Sequence, residues 1–466
     1  MQSAEKTVNL KRRDFLRRAG ASAFAFTILP RYVLGGAGQI APSDKVNVAI
    51  IGSGGQGIHN MRQLLQLDDV RIIAICDVNE DDDYSRFYYG GRAGRIPALK
   101  LVREQRPNDP ACKEYIDFME MLDKERDIDA VLVATPDHLH AITCLAAIER
   151  GKHVYCEKPL ARTIYETRKI TEAARAAGVA TQLGNHGHSG EGIRMTVEWI
   201  RDGAIGDIRE VHAWIDSFST DNCGEDIPTG DHPIPAGLDW TRWLGPAETR
   251  PYHPAYCPVN WRGWWDFGTG KLGDFGCHHM DPAFWALDLD GPVTVQASVA
   301  GDASVRRPYV ETIYYDFAAR GEMPPLRMVW YSGLMPPLPL ELEEGRTFSG
   351  RGHGILFIGD KGKMMCGGWG GTPRLIPEAK MQSYTLPEKA IPRSNGHHRD
   401  WIDACKGGKP ASSNFDYSGP LTEFVLLGVL AVRSGKRLNW DPETMQATNL
   451  DVTELVKPTY HNGWTI

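Results

Sequence analysis

The sequence has no CxxC pair, no Cys/His grouping with the spacing of a zinc site, no internal repeat and no low-complexity tract. Its nine cysteines are an odd number and lie scattered, which argues against a disulfide framework. Cys76, Cys144 and Cys156 fall in apolar stretches, where a thiol acts as a small hydrophobe. Cys223 and Cys257 lie in loop-like sequence and form the one pair worth testing for a bond outside the cytoplasm. Basic residues are in deficit, 52 Lys and Arg against 59 Asp and Glu, and a net charge of −7 argues against a nucleic-acid footprint. The apolar run from about Ala19 to Leu29 is too short to span a bilayer comfortably, so no membrane span is expected in the mature chain.

What is present is an ordinary globular composition, 42% hydrophobic and 24% charged over 466 residues, with room for two domains. The first forty residues read differently. "KRRDFLRRAGASAFAFTILP" sets Arg12 and Arg13 before Phe15-Leu16 and a short apolar core, in the order of an export signal. It resembles a twin-arginine signal, with Lys11 where Ser or Thr is more usual, and implies a twin-arginine translocase as partner and a periplasmic or extracytoplasmic location. The alternative is an amphipathic first helix. We assign residues 1–40 to this signal and its linker.

From Lys45 the pattern turns regular. "KVNVAIIGSGGQGIHNMRQLLQL" is a short apolar strand, a glycine loop, and a helix whose Ile58, Met61, Leu64 and Leu65 share a face. Gly52, Gly54 and Gly57 fit G-x-G-x-x-G, which permits a tight turn, approach of backbone to a pyrophosphate, and close helix packing. Gly55 and Gln56 complete this candidate cofactor cradle. "RIIAICDVN" is a second buried strand ending in Asp77, twenty residues after Gly57. A carboxylate there accepts hydrogen bonds from the adenosine ribose and repels a 2′-phosphate, favouring NAD over NADP. Past a polar, glycine-rich insert from Asp81 to about Pro110, the chain gives a strand to Ala134, a turn at Thr135-Pro136, a helix from about Asp137, and a strand ending in Glu157-Lys158-Pro159. Thr163 and Glu166 have capping-box spacing, and "VATQLGN" closes the sheet. Ligands of open parallel sheets bind beyond the strands' carboxyl ends, which puts Thr135, Pro136, His140, Glu157 and Lys158 on a common rim.

After Glu191 the strands "REVHAWID", "VTVQASVA", "ETIYYDFA", "LRMVWYS" and "GILFIGD" follow without regular helices between them, as in a mostly antiparallel second sheet. The fold class expected is α/β: an N-terminal Rossmann dinucleotide-binding domain, residues 45–185, plus a C-terminal α+β domain with a large, mostly antiparallel open sheet, residues 186–466.

"AIIGSGGQG", "VATPDHLHA", "CEKPLA" and "GKLGDFGCHHMD" resemble the successive signatures of the Gfo/Idh/MocA oxidoreductases. The resemblance implies NAD(P), sugar or cyclitol substrates, and a homo-oligomer. It also implies that Lys158 polarises the reacting hydroxyl or carbonyl, and that Asp274 and His278 stand beside the nicotinamide. The residue chemistry is compatible: histidine titrates near working pH and can take a hydroxyl proton, while a lysine stabilises a developing alkoxide. Taken singly, the same residues are a surface lysine, a cap aspartate and a core histidine. His186 and His188 in "GNHGHSGEG" are candidates to face the substrate, as is Trp264, by stacking on a sugar. His279, His397 and His398 rank lower, and no metal site is expected. An exported enzyme meets no soluble NAD pool, so a tightly held cofactor recycled in place is expected. A second substrate can reoxidise it, or one substrate can be oxidised and later re-reduced, as in redox-neutral glycoside cleavage through a 3-keto intermediate. A non-catalytic nucleotide-binding sensor is the reading from another class.

Overall fold

The computed structural model describes residues 40–85, 90–216, 228–348 and 352–466. Arg12, Arg13 and Cys223, and with them the export signal and the Cys223–Cys257 pair, lie outside the described residues. All cysteines among the described residues are free thiols. Pro42–Asp44 form a single 3-10 turn.

From Val46 onward, unbroken apolar runs become buried strands. β1 (Val46–Ile51), β2 (Val70–Cys76), β3 (Lys113–Tyr115), β4 (Ala130–Val133), β5 (His153–Cys156) and β6 (Thr181–Leu183) form one sheet in the order β3-β2-β1-β4-β5-β6, every pair parallel. That is the doubly wound order, in which the sheet direction reverses beside β1 and leaves a crevice at the strands' carboxyl ends. Its helices are α1 (Gly55–Leu64), α2 (Arg95–Gln105), α3 (Phe118–Lys124), α4 (Asp137–Glu149) and α5 (Ile164–Ala177). The expected capping box is present: Thr163 Oγ1 accepts from Glu166 N, and Glu166 Oε2 accepts from Thr163 N. The polar insert is not all loop. α2 lies inside it, burying Arg95, Ala98, Leu99 and Val102 and half-burying Pro97 and Leu101, while its remaining positions are exposed. Pro97 sits in the first turn, where a missing N–H costs nothing.

α6 (Glu191–Arg201) leads to a second sheet, built from β7 (Ile208–Ile215), β8 (Thr294–Ala300), β9 (Val310–Phe317), β10 (Leu326–Ser332), β11 (His353–Gly359), β12 (Gly362–Cys366), β13 (Arg374–Ile376), β14 (Leu438–Asp441) and β15 (Gln446–Ala447). The order is β13-β12-β11-β7-β10-β9-β8-β14-β15, and only the β7–β10 pair is parallel. Between β7 and β8 lie α7 (Trp240–Leu244), α8 (Gly270–His279) and α9 (Asp281–Ala286).

The two sheets share a core. α11 (Phe415–Ser434) packs against α5 on one side and against α8, β8 and β9 on the other, so it is apolar almost all round, as a helix buried on two faces must be. By length and composition it is the one helix among the described residues apolar enough to cross a membrane, and 78% of its most apolar window is buried inside the protein. The chain also returns to the first sheet: α10 (His397–Cys405) places Trp401 and Ile402 in the same cluster as Val48, Ile50, Leu132 and Tyr155.

A Cβ added at Gly428 of α11 would stand 2.0 Å from the Tyr315 hydroxyl and 2.5 Å from Leu272 Cδ2. Gly428→Ala is expected to destabilise the protein by about 1–3 kcal/mol through overpacking, measured by chemical denaturation.

Candidate active site

The crevice is formed by the first sheet's loops. Gly52 ends β1 at φ +87°, and a Cβ there would meet the Ala134 carbonyl at 2.6 Å; a Cβ on Gly57 would lie 2.0 Å from Gly52 O. Only hydrogen fits either place, so α1 starts directly under the loop with its free N–H groups facing the crevice, an arrangement that suits a diphosphate. Asp77, just past the end of β2, is half-buried, and desolvation raises its pKa. Its Oδ2 accepts from Ser53 N at 2.6 Å and Ser53 Oγ at 3.1 Å, and Oδ1 from Asn79 N at 2.8 Å. A cavity of 430 Å³ opens here, with Gly52, Gly54, Gly55, Gln56 and Asp77 along one wall and Thr135, Pro136, Glu157 and Lys158 at the far end. The side-chain-free loop, the helix N-terminus and the strand-end carboxylate together fit a dinucleotide.

Glu157 is buried beneath Gly184, where an added Cβ would collide with its carboxyl carbon at 2.5 Å. Its Oε1 accepts from Asn60 Nδ2 at 2.8 Å, and Asn60 Oδ1 in turn accepts from Gln56 Nε2 at 3.0 Å. Glu157 thereby ties β5 to the glycine-loop helix. Next to it, Lys158 reaches across to α8. Its Nζ donates to Asp274 O at 2.8 Å and Asp274 Oδ1 at 2.5 Å. Asp274 also faces Arg262 Nε at 3.5 Å. Although desolvation opposes it, these neighbouring cations, Lys158 first, hold the Asp274 carboxyl well below the usual carboxylate range.

His278 is on the same face of α8 one turn later, 6% exposed. Burial, with the charge of Lys158, pushes its pKa well down, so the imidazole is neutral and able to accept a proton. Its Nδ1 is buried with no hydrogen-bond partner among the described residues. The ring of His186, itself exposed, lies 5.3 Å from that of His278, and the ring of Trp369 lies 5.7 Å from it.

Three residues expected at the ligand stand elsewhere. His188 is buried: its Nδ1 is 3.0 Å from Asp281 Oδ2, and Tyr417 donates to the same carboxylate at 2.5 Å. It fastens the turn after β6 to α9 and α11. His140 lies inside α4, its ring nitrogens meeting the Pro159 and Thr135 carbonyl oxygens at 2.8 and 2.9 Å, so it braces the rim from behind. Trp264 is 4% exposed in an aromatic cluster with Trp240, Trp243, Tyr256 and Phe267, its Nε1 donating to Ala255 O. Buried apolar surroundings gain more from an indole than an open cleft does. Trp369, Arg262 and Asp137 also stand at the site; Trp369 and Arg262 fall in none of the motifs that point to it, and the glycine pairs around Trp369, "GGWGG", are the one local signal that marks a loop able to approach a ligand. Among the described residues no group of three or more His, Cys, Asp or Glu could hold a metal ion.

A parallel sheet with a glycine-loop crevice, joined to a larger antiparallel sheet that delivers a lysine-paired aspartate and a neutral histidine, defines a two-domain, dinucleotide-dependent oxidoreductase. Residues 46–185 match the model of an oxidoreductase family's NAD-binding Rossmann fold, and residues 224–315 match its C-terminal alpha/beta domain. The chain belongs to the Gfo/Idh/MocA oxidoreductases, and its cofactor is NAD. It is 30% identical over 217 residues to an alpha-N-acetylgalactosaminidase of Shewanella oneidensis, a match that takes in 43% of this chain and 44% of that protein. The fold is also that of the WlbA dehydrogenase from Bordetella pertussis, solved with NADH and UDP-GlcNAcA, at 18% identity and a TM-score of 0.57 over 85% of this chain and 99% of that one. Aldose-aldose oxidoreductase from Caulobacter crescentus is similar at 18% identity and a TM-score of 0.52, over 85% and 99%.

Asp137, at the start of α4, lines the cavity and accepts from Thr269 Oγ1 at 2.6 Å. Burial, offset in part by that hydrogen bond, pushes its pKa up to about 7. A raised acid binds its proton more tightly in the folded protein, so its stabilisation is complete below the unfolded pKa and is lost as pH rises through the folded one. Asp137→Asn keeps the neutral form. Between pH of about 4 and about 7, melting temperatures are expected to shift in the variant's favour, with no further change above.

Proposed function

We propose that the protein is an exported NAD-dependent oxidoreductase that transfers a hydride between a hydroxyl of a sugar, cyclitol or glycoside and a tightly held cofactor. The observation that carries this reading is the clamp on Lys158: an ammonium held by a main-chain oxygen and a carboxylate of Asp274, next to a neutral His278, at the end of the cofactor cavity. NAD, when bound, supplies the hydride acceptor. Lys158 binds the reacting oxygen and stabilises the negative charge it develops. Asp274 keeps that ammonium charged and aimed. His278 takes the hydroxyl proton, a role its neutral state allows and a cationic ring would not. Trp369 and His186 flank His278 and offer a flat apolar face and a polar edge to a sugar ring. The carbohydrate class is supported by the UDP-GlcNAcA bound to the WlbA dehydrogenase and by the aldose substrates in the name of the Caulobacter enzyme.

Lys158→Met keeps much of the side chain's bulk and leaves the glycine loop untouched, so the variant is expected to retain cofactor while turnover falls on the order of a hundredfold or more. A single-turnover assay following nicotinamide absorbance after a sugar is added to the loaded protein checks this; reduction at the unmutated rate assigns Lys158 a structural role.

A second reading, redox-neutral glycoside cleavage, is favoured by the match to the Shewanella glycosidase. The same lysine and histidine would serve both, since the hydride leaves the sugar and later returns. Nitrophenol released from p-nitrophenyl α-N-acetylgalactosaminide with no net NADH distinguishes it from net oxidation. Export rests on Arg12 and Arg13 and the apolar run that follows them. Residues 1–40 fused to a folded reporter are expected to direct its export, with loss on changing both arginines to lysine; a cytoplasmic reporter removes both the export reading and the need for cofactor recycling.

A further inference from the structure

The cofactor cavity is not closed by the first sheet alone. Beyond Asp77 its wall passes to Ile116, Asp117 and Phe118, which follow β3, the strand beside β2 at the sheet's edge. The same wall includes Arg242, Asn462 and Trp464, all more than a hundred residues further along the chain. The Trp464 ring stacks on Phe118, with centroids 5.7 Å apart and planes inclined by 18°. Both rings are half-buried and line the cavity, and Phe118 also packs against the main core.

Each ring is held in place from its own side. Asp117 caps α3 through Oδ1, which accepts from Met119 N at 2.8 Å and Glu120 N at 3.2 Å, so Phe118 is fixed as the first helical residue. The other oxygen of Asp117 receives Arg242 Nε at 3.2 Å, and Arg242 Nη1 donates to Asp239 at 2.6 Å. Across the gap, Asn462 Nδ2 donates to Gly245 O at 2.8 Å and Ala247 O at 2.9 Å, and its Oδ1 accepts from Thr249 Oγ1 at 2.7 Å. His461 N donates to Pro246 O at 3.0 Å, and Trp464 N to His461 O at 3.1 Å. Residues 461–464 are thus laced to the loop after α7 by their own backbone and by one asparagine, leaving the tryptophan ring free of any anchoring duty.

Trp464 belongs to no core cluster, rests on a ring that the core itself holds, and lines a ligand cavity, which makes it a stacking surface. With Asp77 on the adenosine ribose and the α1 N-terminus on the diphosphate, the base falls at the β2–β3 end of the crevice, where this pair stands. We propose that Trp464, seated on Phe118, forms the adenine-stacking wall of the NAD site, and that residues 461–464 act as a strap slowing cofactor release. The inference rests on NAD occupying this crevice and deepens that reading: it assigns to a segment of the second domain the retention that an exported, self-recycling enzyme needs.

The test uses the full chain loaded with NADH. Excess NAD is added, and loss of bound-nicotinamide fluorescence gives the release rate; AMP and nicotinamide mononucleotide are then titrated as separate competitors. Trp464→Ala is expected to release NADH about tenfold faster or more and to bind AMP about tenfold more weakly, as expected when a base loses its aromatic platform. Nicotinamide mononucleotide should compete as before, and Trp464→Phe should restore most of the effect. Equal release and equal AMP competition in the alanine variant overturn the proposal. So does a parallel loss of nicotinamide mononucleotide competition, which would mean that the whole cleft had loosened. An unmutated protein that takes up no NADH refutes the cofactor reading itself, a result distinct from either of these.

Discussion

Everything chemical in this protein depends on the two sheets being unable to move relative to each other. Lys158 stands at the end of a strand of the first sheet, while Asp274 and His278 stand on a helix that lies against the second. A lysine nitrogen 2.5 Å from a carboxylate oxygen tolerates little drift. The register is kept by α11, whose apolar surface is shared out between α5, α8 and two strands of the larger sheet, with glycines wherever it comes too close for a side chain. The buried join of His188, Asp281 and Tyr417 ties the turn after β6 to the same helix layer.

Within that frame the electrostatics of the crevice follow from burial. A carboxylate with two cations beside it stays charged, and a histidine beside the same lysine stays neutral. The single ion pair therefore fixes a positive charge at the end of the crevice and helps to keep the neighbouring ring unprotonated. Asp137 sits on the other side of this balance, pushed toward its neutral form by burial that the Thr269 hydrogen bond and the charges of Arg262 and Lys158 offset only in part.

Much of this was legible because the relevant signals are local. The run Val46–Ile51, the glycine spacing and Asp77 lie within a few dozen residues, and a buried parallel strand must be apolar on both faces. Five of the nine second-domain strands were marked in the same way by β-branched and aromatic runs. α2 was hidden because Pro97 and its charged positions look like loop, and only the sheet beneath Ala98, Leu99 and Val102 makes them a face. At the site, Lys158, Asp274 and His278 come together from two motifs that could each be read. His140, His188 and Trp264 were misplaced for the converse reason. A histidine after a strand and a tryptophan in a polar loop carry the same letters whether they meet a ligand or the protein interior, and what decides for His188 is Asp281, a partner 93 residues away that no short window reveals.

The return of α10 to the first sheet bears on how such proteins are put together. Trp401 and Ile402 complete a face that the helices within residues 46–185 leave uncovered, and Tyr155 of β5 packs its ring against Trp401. The cofactor half is therefore not a detachable cassette. Recombining it with another substrate half exposes an apolar strip unless the incoming chain supplies an equivalent helix.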